Sequence, residues 1–485
     1  MRSITEFIRR AIPRGLRRNN GNTAAGAVEK NVPEAASARP QLRVITRDQH
    51  GISRRNISNG ALRVLYRLNE AGFEAFLVGG AVRDLLLGGH PKDFDIATNA
   101  TPEQVRGLFR NCRLIGRRFR LAHVVFGQEI VEVATFRGIG EEGNVDRHVV
   151  DGRIVRDNVY GSIEEDAIRR DFRVNALYYN IADFSVRDYV GGMADLEARE
   201  LHLIGDPELR YREDPVRMLR AVRLAAKLNF RIDDSAERPF ASLGQLLCDA
   251  APARLFDESL KLFLSGHGLA SFRELDRSGL LQFVFPSAAT ALKRGRGAEF
   301  RRLIECGLAN TDQRVQSGKP VTPAFLFALL LWGGVRERAE RAMAGGADPV
   351  EAWSNAADAV IQEQSARVAI PRRFSLVMEE IWALQPRFEQ RMKKRVVRLL
   401  THPRFRAAYD FLVVRAEAEP ELAELAQWWE QAQQGDAAVL NDLLTQSPAP
   451  ADTAPVKTAT RKRRRRRRRK PAGSGGGSGE TPAGS

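Results

Sequence analysis

One short stretch constrains this chain more than any other: Leu77-Val78-Gly79-Gly80-Ala81-Val82-Arg83-Asp84, followed by Pro91-Lys92-Asp93-Phe94-Asp95. Ala75 to Val78 reads as a strand and Gly79-Gly80 as a turn. Ala81 to Leu87 reads as a short helix closed by Gly88-Gly89, and Asp93 to Ala97 as a second strand. Residues two apart on a strand share a face, so Asp93 and Asp95 project together while Phe94 turns into the core. Two carboxylates on one side repel each other unless a cation lies between them. Their hard oxygens suit Mg²⁺, which binds one or two carboxylates together with substrate phosphates. The glycine turn opens a helix whose bare N–H groups and positive end can hold a triphosphate, and Arg83, one turn in, can pair with the same phosphates. A double glycine alone, or an Asp-x-Asp alone, says little. Their order as strand, turn, helix, loop and strand is specific, and it points to a pocket for a triphosphate beside divalent ions.

A pair of metal ions needs a third acidic group. Glu132 and Asp166 are the two candidates. Glu132 lies in a strand, Glu129 to Phe136, on the face opposite Val131 and Val133. Asp166 lies just after Ser162, which with Glu165 forms a capping box; its alternative role is that of a first-turn acid favoured by the helix dipole. The reading leans to Asp166 as the catalytic acid. In Arg169-Arg170-Asp171-Phe172-Arg173-Val174-Asn175-Ala176-Leu177, Asp171 and Asn175 are four apart and are expected on one helix face. There a carboxylate and an amide can bond a ribose hydroxyl while Arg170 meets phosphate. In Arg212-Glu213-Asp214-Pro215-Val216-Arg217-Met218-Leu219-Arg220, Asp214 before Pro215 is a good helix N-cap, and Asp214 with Arg217 can read the edge of a nucleobase. Arg217, Arg220, Arg223 and Lys227 form a basic stripe suited to phosphates or an RNA backbone.

Charge and length set the frame for these motifs. The 485 residues are too many for one ordinary domain. There are 76 Lys and Arg against 60 Asp and Glu, a net charge of +16, and ten of the cations form one run, Arg461 to Lys470. The rest of the chain is mildly basic, and the excess favours a polyanionic partner. Cys112, Cys248 and Cys306 are far apart and form no zinc spacing or disulfide scaffold. The longest apolar run, Ala324 to Trp332, is too short to cross a bilayer, which needs about 20 residues. No stable membrane insertion is expected, and the location expected is cytoplasmic. Residues 1–60 read as a basic extension and linker, with Ile4, Phe7, Ile8 and Ile12 able to share a helix face. Residues 61–205 mix strands and helices, including a hairpin around Gly127-Gln128. Beyond about 205 helical periodicity dominates, so the expected class is α+β with a mixed sheet, followed by an all-α region. Residues 446–485 are low in complexity, cannot build a core and should be disordered.

LVGGAVRDLLLGGHPKDFDIAT, RRDFRVNAL and REDPVRMLRAVRLAAKL resemble the signature motifs of class II nucleotidyltransferases, the superfamily of bacterial poly(A) polymerases and tRNA CCA-adding enzymes. The resemblance implies a polymerase β-like head (61–205), a helical neck (206–265), a helical RNA-holding body (266–445) and an Arg-rich tail. Leu114 to Val124, with Arg117 and Arg118, resembles the segment that marks bacterial poly(A) polymerases, as does HPRFRAAYDFL at 402–412. A CCA-adding enzyme is the alternative. Arg173 stands where the family usually has Thr. What the resemblance implies is template-independent addition of AMP from ATP to RNA 3′ ends, feeding RNA processing and decay. Asp93 and Asp95 would hold two Mg²⁺ ions, with Mn²⁺ as a substitute. Gly79, Gly80 and Arg83 would seat the triphosphate, Arg170, Asp171 and Asn175 phosphate and ribose, and Asp214 and Arg217 adenine. RNA would be met by Arg117, Arg118, Arg220, Arg223 and the tail, including Arg463 and Arg465. RNA-decay proteins are the expected protein partners.

Overall fold

The computed structural model describes residues 42–116, 120–138, 147–150, 153–157, 159–435 and 437–446. Its first part is built on ten strands: β1 (Arg43–Ile45), β2 (Ala75–Val78), β3 (Asp95–Thr98), β4 (Cys112–Ile115), β5 (Leu121–Phe126), β6 (Glu129–Thr135), β7 (Arg147–Val150), β8 (Arg153–Asp157), β9 (Leu177–Asn180) and β10 (Val186–Asp188). Eight of them form one mixed sheet in the order β1-β10-β9-β2-β3-β6-β5-β4, and β7 and β8 make a separate antiparallel pair. All of the sheet is antiparallel except the β3–β6 pair.

The apolar run Ala75–Val78 becomes a central strand because both of its faces are covered. Ala75 and Leu77 join one large core with Ile96, Val124, Val131 and Val133, capped by helices α1 (Asn59–Glu70), α2 (Gly80–Leu86) and α3 (Pro102–Leu108). Phe76 and Val78 join a smaller core on the opposite face, with Ala97, Phe136, Tyr178 and the residues Ile163 and Ala167 of α4 (Ile163–Arg169). Each such fully buried side chain contributes about 1.5–3 kcal/mol over its exposed state. The turn from β5 to β6 is made at Gly127, whose φ of +60° suits a residue without Cβ. The capping box expected at Ser162 is formed in full, with Ser162 accepting from the Glu165 amide and Glu165 from the Ser162 amide. Residues 42–60, read as part of an extension, differ from that reading: β1 pairs with β10 as an edge strand of the same sheet.

After the sheet the chain turns helical through α5 (Gly192–Ala198), α6 (Pro207–Glu213), α7 (Val216–Leu228) and α8 (Pro252–Phe263), and stays so to Ala437–Gln446. One short exception is Arg231–Ile232, past the expected end of the strands, which pairs in parallel with Glu200–Leu201. The run Ala324 to Trp332 lies in the helix Pro323–Ala344, largely buried, with Phe327, Leu330 and Trp332 in the core. Among the described residues no helix is long and apolar enough to cross a membrane. Leu384 to Ala432 supplies a further small core around Phe388, Phe405 and Trp429. The amphipathic N-terminal stretch with Ile4 and Phe7, and the basic tail with Arg463 and Arg465, lie outside the described residues.

Candidate active site

The sheet register lines up the acids. Asp95 at the start of β3 is the parallel partner of Glu132 on β6, and Glu132 is the antiparallel partner of His123 on β5. In the other direction Val78 pairs with Asp95, and Tyr178 of β9 with Val78. Tyr178, Val78, Asp95, Glu132 and His123 thus form one row across five strands on a single face. Asp93 stands just before β3 instead of within it, because the strand begins at Asp95. The alternation still holds: Asp93 and Asp95 are exposed and Phe94 is buried between them.

This row is acidic and short of counter-charge. Asp95 reaches solvent, yet the protein atoms crowded around it push its carboxyl up from 3.8 to about 6, with the charges of Glu132 and Asp93 adding and Arg170 opposing. His123, 4% exposed, lies with Nε2 3.2 Å from Glu132 Oε2. Asp93, Asp95 and Glu132 stay more open than two other clusters among the described residues, Glu200–His202–Asp233 and Glu299–Glu419–Glu421, whose ligand atoms all lie within 4.8 Å.

Beside Asp95 lies the glycine turn. Gly79 adopts φ +77°, ψ −142°, a conformation that favours glycine, and a Cβ there would approach Arg170 Nη1 and Asp95 Oδ2 at 3.8 and 3.9 Å. Arg170 is held rigidly behind this turn. Its Nε donates to the Tyr178 hydroxyl at 2.9 Å, and Nε and Nη2 both donate to Asp166 Oδ2, at 3.1 and 3.0 Å. Burial alone would lower the Arg170 guanidinium, but Tyr178 and Asp166 outweigh it and raise it, so it stays charged. Asp166 is 5% exposed and fully engaged: it also accepts from the Tyr178 hydroxyl at 2.6 Å and from the Arg137 amide at 3.2 Å. The preference for Asp166 over Glu132 therefore meets a buried side chain with its oxygens taken, whereas Glu132 stands beside Asp95.

Several expected contacts fall differently. Arg83 is 3% exposed, and its guanidinium donates to Asp84 Oδ1 at 2.8 and 2.6 Å and to Asn175 Oδ1 at 2.5 Å. It braces the turn from within instead of facing an open triphosphate pocket. Asp171 and Asn175 do not share a helix face: only Arg173–Asn175 makes a single 3₁₀ turn, since Phe172 is drawn into a bridge with Leu203. Asp171 instead pairs with Arg220 and accepts from the Phe172 amide at 2.9 Å. Burial would raise its carboxyl, but Arg220 and that amide hold it below the usual carboxylate range.

The stripe on α7 is not a free basic surface. Arg220 meets Asp171, Arg223 Nε meets Glu258 Oε1 at 2.6 Å, and Lys227 Nζ meets Asp84 Oδ2 at 2.8 Å. These pairs tie α7 to Asp171, to α2 through Asp84 and to α8 through Glu258. Asp214 accepts from Arg254 Nη2 at 2.8 Å and makes only a long capping bond, 3.3 Å, to the Val216 amide. Arg217 bonds the Arg210 carbonyl and Glu213, at 2.6 and 2.9 Å. Asp214 and Arg217 are thus neighbours with separate partners. Arg210, which the sequence reading missed, donates Nη2 to the carbonyls of Arg169 and Arg170 at 2.9 and 2.5 Å, clamping the end of α4. Tyr178 and His123 were also missed; strand alternation beside Phe76 and Glu132 is the signal that points to them. Arg117 and Arg118 lie outside the described residues.

Comparison with known proteins decides the family. Residues 75–202 match the model described as the poly A polymerase head domain, residues 229–292 a probable RNA and SrmB-binding site of polymerase A, and residues 345–470 the polymerase A arginine-rich C-terminus. Over 87% of its length the chain is 51% identical to poly(A) polymerase I of Salmonella typhi, covering 93% of that protein. The chain belongs to the poly(A) polymerase I family. It is accordingly a nucleotidyltransferase, and the row of acids lies inside the poly(A) polymerase head match. A CCA-adding enzyme of Lactobacillus helveticus is 37% identical but spans only 44% of the chain and 52% of that enzyme. The fold is that of a solved CCA-adding enzyme in its apo form II, with a TM-score of 0.56 at 18% identity, over 81% of this chain and 93% of that one.

Proposed function

We propose that this poly(A) polymerase family member adds AMP from ATP to RNA 3′ ends without a template, using Asp93, Asp95 and Glu132 to hold a pair of divalent ions. The observation that carries the reading is the register: Asp95 and Glu132 are partners on adjacent strands, one strand from the Gly79 turn and Arg170. The donor set fits a hard cation. It is all carboxylate oxygen at the ligand positions, Asp95 is raised by burial and then by its like-charged neighbours, and the Arg170 guanidinium that opposes the rise is bonded to Asp166 and Tyr178. Mg²⁺ is the ion such oxygens suit, with Mn²⁺ as a substitute. When bound, the ions supply Lewis-acid polarisation of the α-phosphate and a lowered pKa for the attacking hydroxyl.

The chain's own residues do the rest. Gly79 lets backbone approach the triphosphate closely, and Arg170, charged and immobilised, faces its phosphates from behind the turn. His123 fixes Glu132. Arg83 with Asn175, and Arg220 with Asp171, brace the pocket floor and join it to α7. Asp214 and Arg217 stand at the start of α7 as the groups to meet the base. We assign 42–205 to the catalytic head, 206–265 to the neck, 266–445 to the RNA-holding body, and the Arg461–Lys470 run to sequence-independent RNA attraction. Addition of A tails in the cytoplasm would mark RNA for processing and decay, with RNA-decay proteins as partners. The test is extension of a generic RNA, and separately of tRNA ending in CC, with ATP or CTP. Long A tails on the generic RNA support the reading; use of CTP and a single A on tRNA would replace it with CCA addition.

A further inference from the structure

The row of acids continues past His123. Arg113 on β4 is the antiparallel partner of His123, so it lies on the same face, two strands beyond Glu132. Its neighbours Cys112 and Leu114 turn the other way and pack on the main core, which confirms the facing. Arg113 is exposed and has no ion pair among the described residues, in contrast to Arg83, Arg170, Arg217, Arg220 and Arg223, which all bond protein partners. On the same face Ile130 is 40% exposed. Ile130 stands two residues before Glu132 on the same face of β6, and its cross-strand partner is Val125. An open apolar ledge therefore adjoins the acids, with a cation at its outer edge.

In-line displacement puts the attacking and leaving oxygens on opposite sides of the phosphorus. With the triphosphate on the Gly79–Arg170 side of Asp95, the attacking hydroxyl must approach from the Glu132 side. We infer that the ledge formed by Ile130 and Val125 seats the 3′-terminal nucleotides of the RNA, and that Arg113 holds a backbone phosphate upstream of the reacting hydroxyl. Two strand spacings separate Glu132 from Arg113, roughly 10 Å, which a strand of stacked nucleotides crosses in about three steps of 3.4 Å. A guanidinium there adds a bidentate phosphate contact, and the ledge offers base-tolerant apolar contact. The inference rests on the proposed nucleotidyl transfer at Asp95 and Glu132.

The experiment is steady-state extension of a short oligoadenylate primer by the full-length chain carrying R113Q or R113K, with RNA and ATP varied separately and RNA also titrated against salt. R113Q is expected to raise the KM for RNA roughly tenfold, the scale of one charged hydrogen-bonded contact, and to flatten the salt slope by about 0.7, the value for one phosphate of a single strand. The KM for ATP and the melting temperature should stay unchanged, and R113K should keep the salt slope while losing part of the affinity. An unchanged RNA KM and slope in R113Q would overturn the inference while leaving the wild-type reaction intact, and so would a raised KM for ATP. Wild-type protein that fails to extend RNA would instead sink the reading on which the inference rests.

Discussion

Asp166 and Glu132 are both acids near the same pocket, and the structure gives their removal opposite consequences. Asp166→Ala takes away the acceptor of two Arg170 donors, of the Tyr178 hydroxyl and of the Arg137 amide, all in a site where Asp166 is 5% exposed. Breaking a buried ion pair from one side costs about 3–5 kcal/mol, because the stranded charge stays desolvated. At about 2 °C per kcal/mol for a large domain, the head should melt roughly 6–10 °C lower. Asp166→Asn keeps one oxygen and should lose less. Glu132→Gln removes a half-exposed acid whose one described side-chain partner is His123, so the melting temperature should hold within about 1 °C, an effect near 0.5 kcal/mol. Its loss should appear in turnover, as a fall of about a hundredfold or more, since one ligand of a charge-stabilising site is worth several kcal/mol. Thermal melts and ATP-dependent primer extension on the same preparations separate the two. A thermally intact D166A that has lost all turnover, or an E132Q that melts early yet extends RNA normally, would refute the assignment.

Three further outcomes follow from the same geometry. Because the Asp95 carboxyl sits near 6 instead of 3.8, the metal-free fold retains a proton between those values that the unfolded chain has released. Folding therefore grows less favourable as pH rises through that window, and the whole penalty is present above about pH 6. A divalent ion must displace the same proton, so the rise in melting temperature on adding Mg²⁺ should be larger near about pH 7.5 than near about pH 5.5, and should shrink in D95N. Asp84→Ala strands the buried Arg83 and releases Lys227, so it should destabilise the head by about 3 kcal/mol or more, measured by urea unfolding. Deleting Arg461–Lys470 should weaken RNA binding steeply at low salt while leaving kcat near wild type; equal affinity across a salt titration would contradict it.

Local pattern was enough to place most of the site's frame. The four apolar residues Ala75–Val78 become a strand, the double glycine turns the chain into a helix, and alternation correctly sends Phe94 inward and its flanking acids outward. The Gly127 turn and the Ser162 capping box were likewise readable, because each is decided within a few residues. What local pattern cannot supply is the long-range partner. Whether Arg220 faces RNA or Asp171, and whether Arg83 faces phosphate or Asn175, depends on contacts far apart in sequence. The same holds for choosing between Glu132 and Asp166, since a parallel register brings Glu132 beside Asp95. The helical face drawn through Asp171 and Asn175 failed for a related reason: the bridge of Phe172 to Leu203 overrides the i, i+4 spacing.

The central claim is that the acids flanking Phe94 hold the ions that carry out AMP transfer. Single-turnover incorporation of AMP by D95N, at saturating ATP, RNA and Mg²⁺, tests it most directly. The account predicts a fall of at least about a thousandfold, the several kcal/mol that metal-held charge provides, with RNA binding preserved. Incorporation near the wild-type rate would contradict it.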